Sequence, residues 1–252
     1  MAHGSFFSNQ TANHILGVLC GAFTLTPYSW WKHGHNFHHE HSNDLNFQQG
    51  SQTAPFTVKE FLSWSPFWQR VYRVACIPYI MILGVAPFMM AIVQPLSGWV
   101  AIEWAVQIGL WVILYQFSLL SRIFMVVSFS ATFGVFLFHL QHTFEGAKRE
   151  FGRDYFDNGL HGSSFLHVPY IFQWATGSIE VHHIHHLNAR VPLYNLQKCH
   201  DEAPEGMFDT ITHITLSEGW KTLLLVLWDE ETDKLITFEE LDTRLAKTNK
   251  VK

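Results

Sequence analysis

One segment of the chain, residues 74–147, carries almost no charge. Its only basic residue is Arg122, and its only acidic residues are Glu103 and Glu145. A helix needs about 20 predominantly apolar residues to cross a membrane, and this segment has room for several such helices. Core helices of soluble proteins rarely run so long with so little charge. The sequence therefore predicts an integral membrane protein of the all-α class, built as a helical bundle.

Three apolar runs divide this segment. We expect spans near residues 74–93 and 121–140, whereas the run at 99–118 holds an acidic residue and three tryptophans, which favour an in-plane or re-entrant position. Basic residues flank the segment on both sides, so both flanks are expected in the cytoplasm and an even number of crossings joins them. The membrane domain is expected to cover residues 1–200, followed by a charged cytosolic tail at 201–252.

Composition excludes nucleic-acid binding and a cysteine-based site. The formal net charge is -5, from 16 basic and 21 acidic residues, so no positive field gathers nucleic acid. Three cysteines build neither a disulfide framework nor a thiolate metal site. The 17 histidines are the unusual feature, and they are clustered.

The pattern H-x-x-H-H occurs twice, at residues 35–39 and again at residues 182–186. On a helix its three histidines share one face, so they can converge on one metal ion. Further histidines lie near both patterns, at His3, His139 and His142. Six imidazoles on two short segments beside the same membrane face have little structural use unless they bind cations.

The number of imidazoles indicates two metal ions, because eight or so exceed what one zinc ion holds. Imidazole suits iron, copper, nickel and zinc, so ligand type alone leaves the metal open. A site at the end of an apolar bundle suggests an acyl chain as substrate, and its unactivated C–H bonds call for iron and dioxygen. A di-iron oxidase fits these features. A zinc-dependent membrane hydrolase fits less well, since no clear H-E-x-x-H motif is present.

These motifs resemble those of the membrane fatty acid desaturases of the delta-12/omega-6 type, a family with three histidine boxes between hydrophobic spans. Residues 31–39 (WKHGHNFHH) resemble the second box, and residues 177–187 (GSIEVHHIHHL) resemble the third. Residues 190–194 (RVPLY) are similar to the segment after that box. Residues 141–143 are similar to the additional histidine segment before it, and His3 is similar to the last histidine of the first box.

The resemblance implies a cytosolic, histidine-rich cap with two iron ions, which use dioxygen and an external electron donor to introduce a cis double bond into an acyl chain. The implied iron ligands are His3, His35, His38, His39, His142, His182, His185 and His186. Metal-bound imidazoles usually donate their other N–H group, and the residues expected to accept it are Glu40, Asp44, Glu145, Glu180 and Asn188.

The other histidines are expected to support a ligand, to pack against neighbouring side chains, or to be solvated. We expect His139 to pack or to support a ligand, and His183 to point away from the metals. His33 and His41 flank the second box. Isolated histidines such as His14, His200 and His213 are expected to be packed core residues, while residues 162–164 and His167 either line a lipid entry or form a loop.

The resemblance also implies partners and a location. The acyl chain is carried by a lipid, coenzyme A or acyl carrier protein, and electrons come from a separate ferredoxin or b-type cytochrome. The active site is expected on the cytosolic face of a bacterial inner membrane or the endoplasmic reticulum. The spans and the earlier histidine that precede His3 in the family have no counterpart here, which predicts an N-terminally truncated homologue. The alternatives are a lipid hydroxylase, acetylenase or carotenoid ketolase with the same boxes, or an inactive truncated homologue.

Overall fold

The computed structural model describes residues 1–24, 26–50, 55–85, 98–152 and 154–251. The described chain is mostly helical, which confirms the helical class predicted from the sequence. It also contains four short strands of three or four residues, which the sequence did not predict. The described α-helices are α1 (Gln10–Thr24), α2 (Tyr28–His41), α3 (Val58–Ser63), α4 (Pro66–Ala75), α5 (Pro78–Ile80), α6 (Gly98–Gln116), α7 (Leu120–His142), α8 (Tyr155–His161), α9 (Tyr170–Thr176), α10 (His182–Leu187), α11 (Leu196–Asp201), α12 (Leu216–Thr222) and α13 (Phe238–Val251). A π-helix follows α5 at Met81–Val85, and short 3-10 helices lie at Leu45–Gly50 and Leu193–Asn195. The strands are β1 (Ser164–His167), β2 (Thr212–Thr215), β3 (Leu227–Asp229) and β4 (Lys234–Ile236).

The chain divides into two compact units. The first comprises Met1–Glu40 and Ile82–Phe136, and the second comprises His41–Met81 and Leu137–Lys252. Helices α2 and α7 therefore each begin in the first unit and end in the second.

Helices α1 and α6 pack together in the first unit. The Gln107 side-chain amide on α6 donates to the Gly21 carbonyl of α1 at 3.3 Å. Gly17 on α1 lets the Tyr28 ring approach closely, since a Cβ at that position would lie 2.4 Å from the ring. The Tyr28 hydroxyl in turn donates to the Met1 carbonyl at 3.1 Å. These contacts hold the N-terminal segment beside the start of α2.

Among the described residues, α6 and α7 are the two helices long and apolar enough to cross a membrane. They have 19 and 23 residues, with mean hydropathies of 1.4 and 2.0. Only the length and the composition of these two helices indicate that they could cross a membrane. The run predicted to lie in the plane or to re-enter, 99–118, coincides with α6, which is a continuous helix, and its placement stays a prediction.

The predicted span near 74–93 begins at a break in the helix. Helix α4 ends at Ala75, and Ile77 is extended (φ -60°, ψ 124°) before Pro78 opens α5. Proline has no N–H group and disfavours helical geometry in the residue before it, which explains the break. Residues 86–97 lie outside the described residues, so this span stays a prediction.

Two hydrophobic cores lie among the described residues of the second unit. The first joins buried residues in or directly before α8, β1, α10, α11 and β2: Leu160, Phe165, Val181, Ile184, Leu196 and Ile211. Strands β1 and β2 pair in parallel over this core, with Phe165 opposite His213 and His167 opposite Thr215. The strands are too short to show the alternation by which a strand is recognised in a sequence.

The second core brings the C-terminal residues onto α3 and α4. Its buried members are Phe61, Val226, Leu227, Ile236 and Leu241. Four of the five lie in the region predicted as a charged tail, 201–252, so this region is folded against the rest of its unit. The Arg73 guanidinium on α4 forms two hydrogen bonds with the Asp242 carboxylate of α13, at 2.6 and 3.0 Å. The cytosolic location of this region stays a prediction.

Candidate metal centre

Helix α2 places two histidines of the first H-x-x-H-H pattern against each other. The Nε2 atoms of His35 and His39, one helical turn apart, are separated by 3.3 Å. The ring of His38 lies 5.5 Å from that of His39, and both His38 and His39 are buried. Trp31 stacks on the His35 ring at 4.6 Å with an interplanar angle of 12°. The stacked indole restricts rotation of the His35 ring, whose Nε2 atom lies beside that of His39.

His3 joins this group from the N-terminal segment. Its ring lies 4.8 Å from that of His35 and 4.5 Å from that of His39, and one nitrogen of each of these three residues lies within 4.8 Å of the others. Desolvation by burial, reinforced by the charge of the N-terminal amine, lowers the pKa of His3 to about 4. The imidazole is therefore neutral at pH 7, and neutral imidazole is the form that binds a metal.

Three histidines of the second unit form a matching group. His142, at the end of α7, places its Nε2 atom 2.9 Å from that of His182. The Nε2 atom of His186 lies 3.1 Å from that of His182, so one nitrogen of each residue faces a common point. All three side chains are buried. The ring of His185, also buried, lies 5.4 Å from that of His182.

Backbone contacts fix the position of α10, which carries this second group. Helix α10 has only six residues and no side-chain cap at its start. The Leu166 N–H of β1 donates to the Glu180 carbonyl at 3.1 Å, and the Gln141 amide of α7 donates to the Ile179 carbonyl at 3.0 Å. The segment that leads into α10 is thus held by β1 and by the end of α7.

A single carbonyl orients His142. The Nδ1 atom of His142 lies 3.3 Å from the Gly162 carbonyl oxygen, which requires the proton on Nδ1 and leaves the Nε2 lone pair facing the group. The same carbonyl accepts from the Asn43 side-chain amide at 2.8 Å. Sequence reasoning placed residues 162–164 at a lipid entry or in a loop and did not find this role, because the contacts join residues 20 and 119 positions apart in the chain.

Two further polar residues that support the histidines were also missed. Arg149 appeared only as a flanking positive charge, yet it is buried, donates to the His142 carbonyl at 3.5 Å and lies over the Trp228 ring at 5.8 Å. Desolvation lowers its pKa to about 10, so it stays charged at pH 7. Glu103 of α6 accepts from the Ser29 N–H at 2.9 Å and from its hydroxyl at 2.5 Å, at the start of α2.

The remaining histidines lie outside these two groups. His139 contacts the Thr222 carbonyl at 3.1 Å, as expected of a packing residue, and His183 contacts His200 at 3.2 Å. His33 is exposed, and His41 stacks on Phe47 at 3.9 Å. The expectation that His14 and His213 are packed in a core is wrong, because both are exposed.

The five residues predicted to orient ligand N–H groups occupy different environments. Glu40, Glu145 and Asn188 are exposed. Asp44 accepts from the Asn46 N–H at 2.9 Å, and the buried Glu180 accepts from the Thr176 hydroxyl at 2.9 Å. The role predicted for the five residues stays a prediction.

Each group supplies three imidazole nitrogens that lie close together. Small side-chain movements would bring all three to bonding distance of one metal ion. The donors are uncharged and are held in the protein interior, which suits a transition metal better than Mg²⁺ or Ca²⁺.

Comparison with known proteins gives an independent result. A family model described as fatty acid desaturase matches residues 1–213. A fatty acid desaturase of Bacillus subtilis (strain 168) is 31% identical over 95% of this chain and 72% of its own length. A chloroplastic omega-6 fatty acid desaturase of Glycine max is 22% identical over 81% of this chain, which covers 51% of that protein.

Proposed function

This chain belongs to the fatty acid desaturase family, and from that premise we propose that it uses a di-iron centre and dioxygen to introduce a cis double bond into an acyl chain. Membership of the family implies an oxidoreductase. The observation that carries the proposal is the pair of histidine groups, each with three ligand nitrogens within 4.8 Å of one another.

We propose two iron ions with eight imidazole ligands. Three ligands come from His3, His35 and His39, and three come from His142, His182 and His186. His38 and His185, which stand beside these groups on α2 and α10, complete the set. Eight imidazoles exceed the four ligands of a zinc site, and uncharged nitrogen donors suit iron.

The chemistry of an acyl chain supports iron in particular. When bound, the iron ions supply an oxidising power that side chains lack, since acid–base catalysis does not remove hydrogen from an unactivated methylene. In the balanced reaction, two adjacent methylenes lose two hydrogen atoms, and dioxygen with two electrons and two protons becomes two water molecules. The electrons come from a separate donor, for which we propose a ferredoxin or a b-type cytochrome.

The chain's own residues hold the imidazoles ready. The Gly162 carbonyl keeps the Nε2 lone pair of His142 toward His182. The Glu103 carboxylate holds the first turn of α2, which carries three of the eight proposed ligands. A ligand set fixed before the metal arrives needs little rearrangement to bind it.

We propose that the chain is an integral membrane protein with its histidine-rich cap on the cytosolic side. Apolar helices α6 and α7 support this placement, and their outward side chains include Ile113 and Phe129, which are 55% and 75% exposed. Lys148 and Arg149 follow the end of α7, in keeping with a cytoplasmic flank. The membrane is a bacterial inner membrane or the endoplasmic reticulum, and the acyl chain is carried by a lipid, coenzyme A or acyl carrier protein.

Product analysis tests this proposal. The chain would be expressed in a host that lacks desaturases of its own, and the cellular fatty acids would be analysed by gas chromatography with mass spectrometry. We expect a new cis-unsaturated acid that requires air and is absent with the His182→Ala variant. The exposed His33→Ala variant serves as the matched control and should retain the product.

Three other outcomes would contradict the proposed reaction. A hydroxylated, acetylenic or keto product would identify a related oxidation by the same boxes. A product that forms without air would exclude dioxygen as the oxidant. Fatty acids unchanged by a well-expressed, iron-loaded chain supplied with a reducing partner would identify a non-catalytic homologue.

A further inference from the structure

A second set of histidines, none of them a proposed iron ligand, surrounds the Phe165 ring of β1. Ring centroids lie 4.9 Å away for His167, 5.1 Å for His200, 5.2 Å for His213 and 6.0 Å for His183. Four imidazoles from β1, α10, α11 and β2 thus share one aromatic neighbour.

Two of these histidines form an exposed pair. In the parallel pairing of β1 and β2, His213 stands opposite Phe165, and His167 is two residues further along β1 on the same face. The Nε2 atom of His167 lies 2.9 Å from the Nδ1 atom of His213, and the rings are 5.0 Å apart and nearly parallel. Both side chains are exposed, so a solute can reach the pair.

The distance between these nitrogens is close to what a shared metal requires. With Zn–N bonds of about 2.0–2.1 Å and tetrahedral angles, two imidazole nitrogens on one zinc ion are about 3.3 Å apart. The pair therefore has to open by only about 0.4 Å, which small side-chain rotations of exposed residues provide.

The surroundings of the pair attract cations. A cavity of about 420 Å³ beside it is lined by His200, Met207, Asp209 and His213 among others. Residues 200–209, which read HDEAPEGMFD, contain four acidic residues. Partial desolvation and the neighbouring His167 and His200 lower the pKa of the exposed His213, which favours its neutral, metal-binding form.

We propose that His167 and His213 bind a transition-metal dication such as Zn²⁺ or Cu²⁺ at an accessory site distinct from the iron ligands. Imidazole donors suit these ions. Because the two ligands lie on neighbouring strands, occupancy is expected to stabilise the pairing of β1 with β2.

Isothermal titration of the full, iron-loaded chain with Zn²⁺ tests the proposal, using a purification tag without histidine. We expect one equivalent of Zn²⁺ to bind beyond the iron content. That equivalent should be lost, or its Kd raised at least tenfold, in the His213→Ala and His167→Ala variants. The exposed His14→Ala variant on α1 is the matched control and should bind Zn²⁺ as the unchanged chain does.

A second readout identifies the ligands directly. One equivalent of Cu²⁺ should give an electron paramagnetic resonance spectrum with hyperfine coupling to at least two nitrogens, and His213→Ala should remove one of them. Iron content and product formation should stay unchanged in both variants, which separates this site from the proposed function. The proposal is overturned if the unchanged chain binds no extra Zn²⁺, if it binds only at millimolar concentrations, or if His213→Ala binds as well as the control.

Discussion

At the scale of single residues, the Gly162 carbonyl determines the orientation of His142. It accepts both from the His142 ring and from the Asn43 amide. A Cβ at Gly162 would lie 2.3 Å from the Asn43 amide nitrogen and 2.6 Å from the Asn158 carbonyl oxygen, both too close for any real contact. Position 162 therefore requires glycine, because the neighbouring atoms leave no room for a Cβ.

We predict that Gly162→Ala weakens iron binding by about 10- to 100-fold, the usual effect of losing a group that orients a metal-bound imidazole. Iron retained after dialysis against a chelator of known affinity measures the change. Gly134→Ala in α7 is the matched control, because its Cβ would meet nothing within 4 Å. Equal iron retention in the two variants would show that the carbonyl has no orienting role.

Acidification should destabilise the metal-free chain through its buried histidines. Burial lowers the pKa of His3 to about 4 and that of His183 to about 3, from an ordinary value of 6.5. Because both folded-state values are depressed, the unfolded chain binds protons first as the pH falls. The free energy of unfolding is therefore highest above about pH 6.5. Below that pH it falls by up to about 1.4 kcal/mol per pH unit for each group.

The thermal unfolding midpoint in detergent, measured from pH 8 to pH 5 after iron removal, checks this prediction. We expect a level midpoint above pH 7 and a steady fall below pH 6.5. His14→Ala should leave the curve unchanged, since this histidine is exposed. A midpoint that is independent of pH down to 5 would contradict the assigned burial of these imidazoles.

At this scale the sequence identified the candidate ligands but not their supports. The H-x-x-H-H spacing places His182 and His186 on one helical face, so their convergence follows from helix geometry alone. The roles of Gly162, Asn43 and Arg149 depend on contacts between distant parts of the chain, which no local pattern encodes. The prediction that His213 is packed in a core was wrong, because an isolated histidine in a sequence does not indicate whether its side chain is buried.

At the scale of secondary structure elements, the start of α2 depends on α6. Glu103 is 5% exposed on a helix with no other charged residue, and its carboxylate accepts both hydrogen bonds from Ser29. A negative charge near the first turn of a helix also interacts favourably with the helix dipole. From the sequence, this acid was interpreted as a sign of in-plane placement of the helix. The structure adds that its carboxylate has a specific partner, Ser29.

We predict that Glu103→Ala destabilises the chain by about 2 kcal/mol, because it removes hydrogen bonds to a charged group and leaves the Ser29 N–H without this acceptor. Glu103→Gln keeps an acceptor oxygen in the same place and should retain most of the stability. Denaturant unfolding monitored by circular dichroism measures both values. Ile108→Ala, on the exposed side of α6, is the control for loss of side-chain volume alone.

A loss in Glu103→Ala no larger than that in Ile108→Ala would show that the carboxylate does not support α2. Iron retention provides a separate readout, since a helix that frays at its first turn should hold the first histidine group less well. Partial rescue by glutamine is expected only if the hydrogen bond, rather than the bulk of the side chain, is what matters.

The longer helices were predictable from the sequence, and the shorter elements were not. Helices α6 and α7 follow from uninterrupted apolar runs, and α2 follows from the histidine spacing. The strand pair β1 and β2 is defined by pairing across 48 positions of chain rather than by alternation. The break at Pro78 was missed because hydropathy averages over the residues that end one helix and begin the next.

At the scale of the whole molecule, the chain combines apolar helices with a polar, histidine-rich part. The apolar segment with its few charges indicated the first, and the clustered histidines indicated the second. The C-terminal region departs from the predicted tail, since Val226, Leu227 and Ile236 are buried in a core with Phe61. Their short apolar stretches are too brief to be distinguished from a solvated segment by hydropathy.

The central claim is that the two histidine groups hold two iron ions. The most direct test is the iron content of the detergent-purified chain, produced without a histidine tag and measured by inductively coupled plasma mass spectrometry. We predict two iron ions per chain, at most one in His182→Ala, and two in the His33→Ala control. A chain that contains zinc in place of iron, or no metal while remaining folded, would contradict the account.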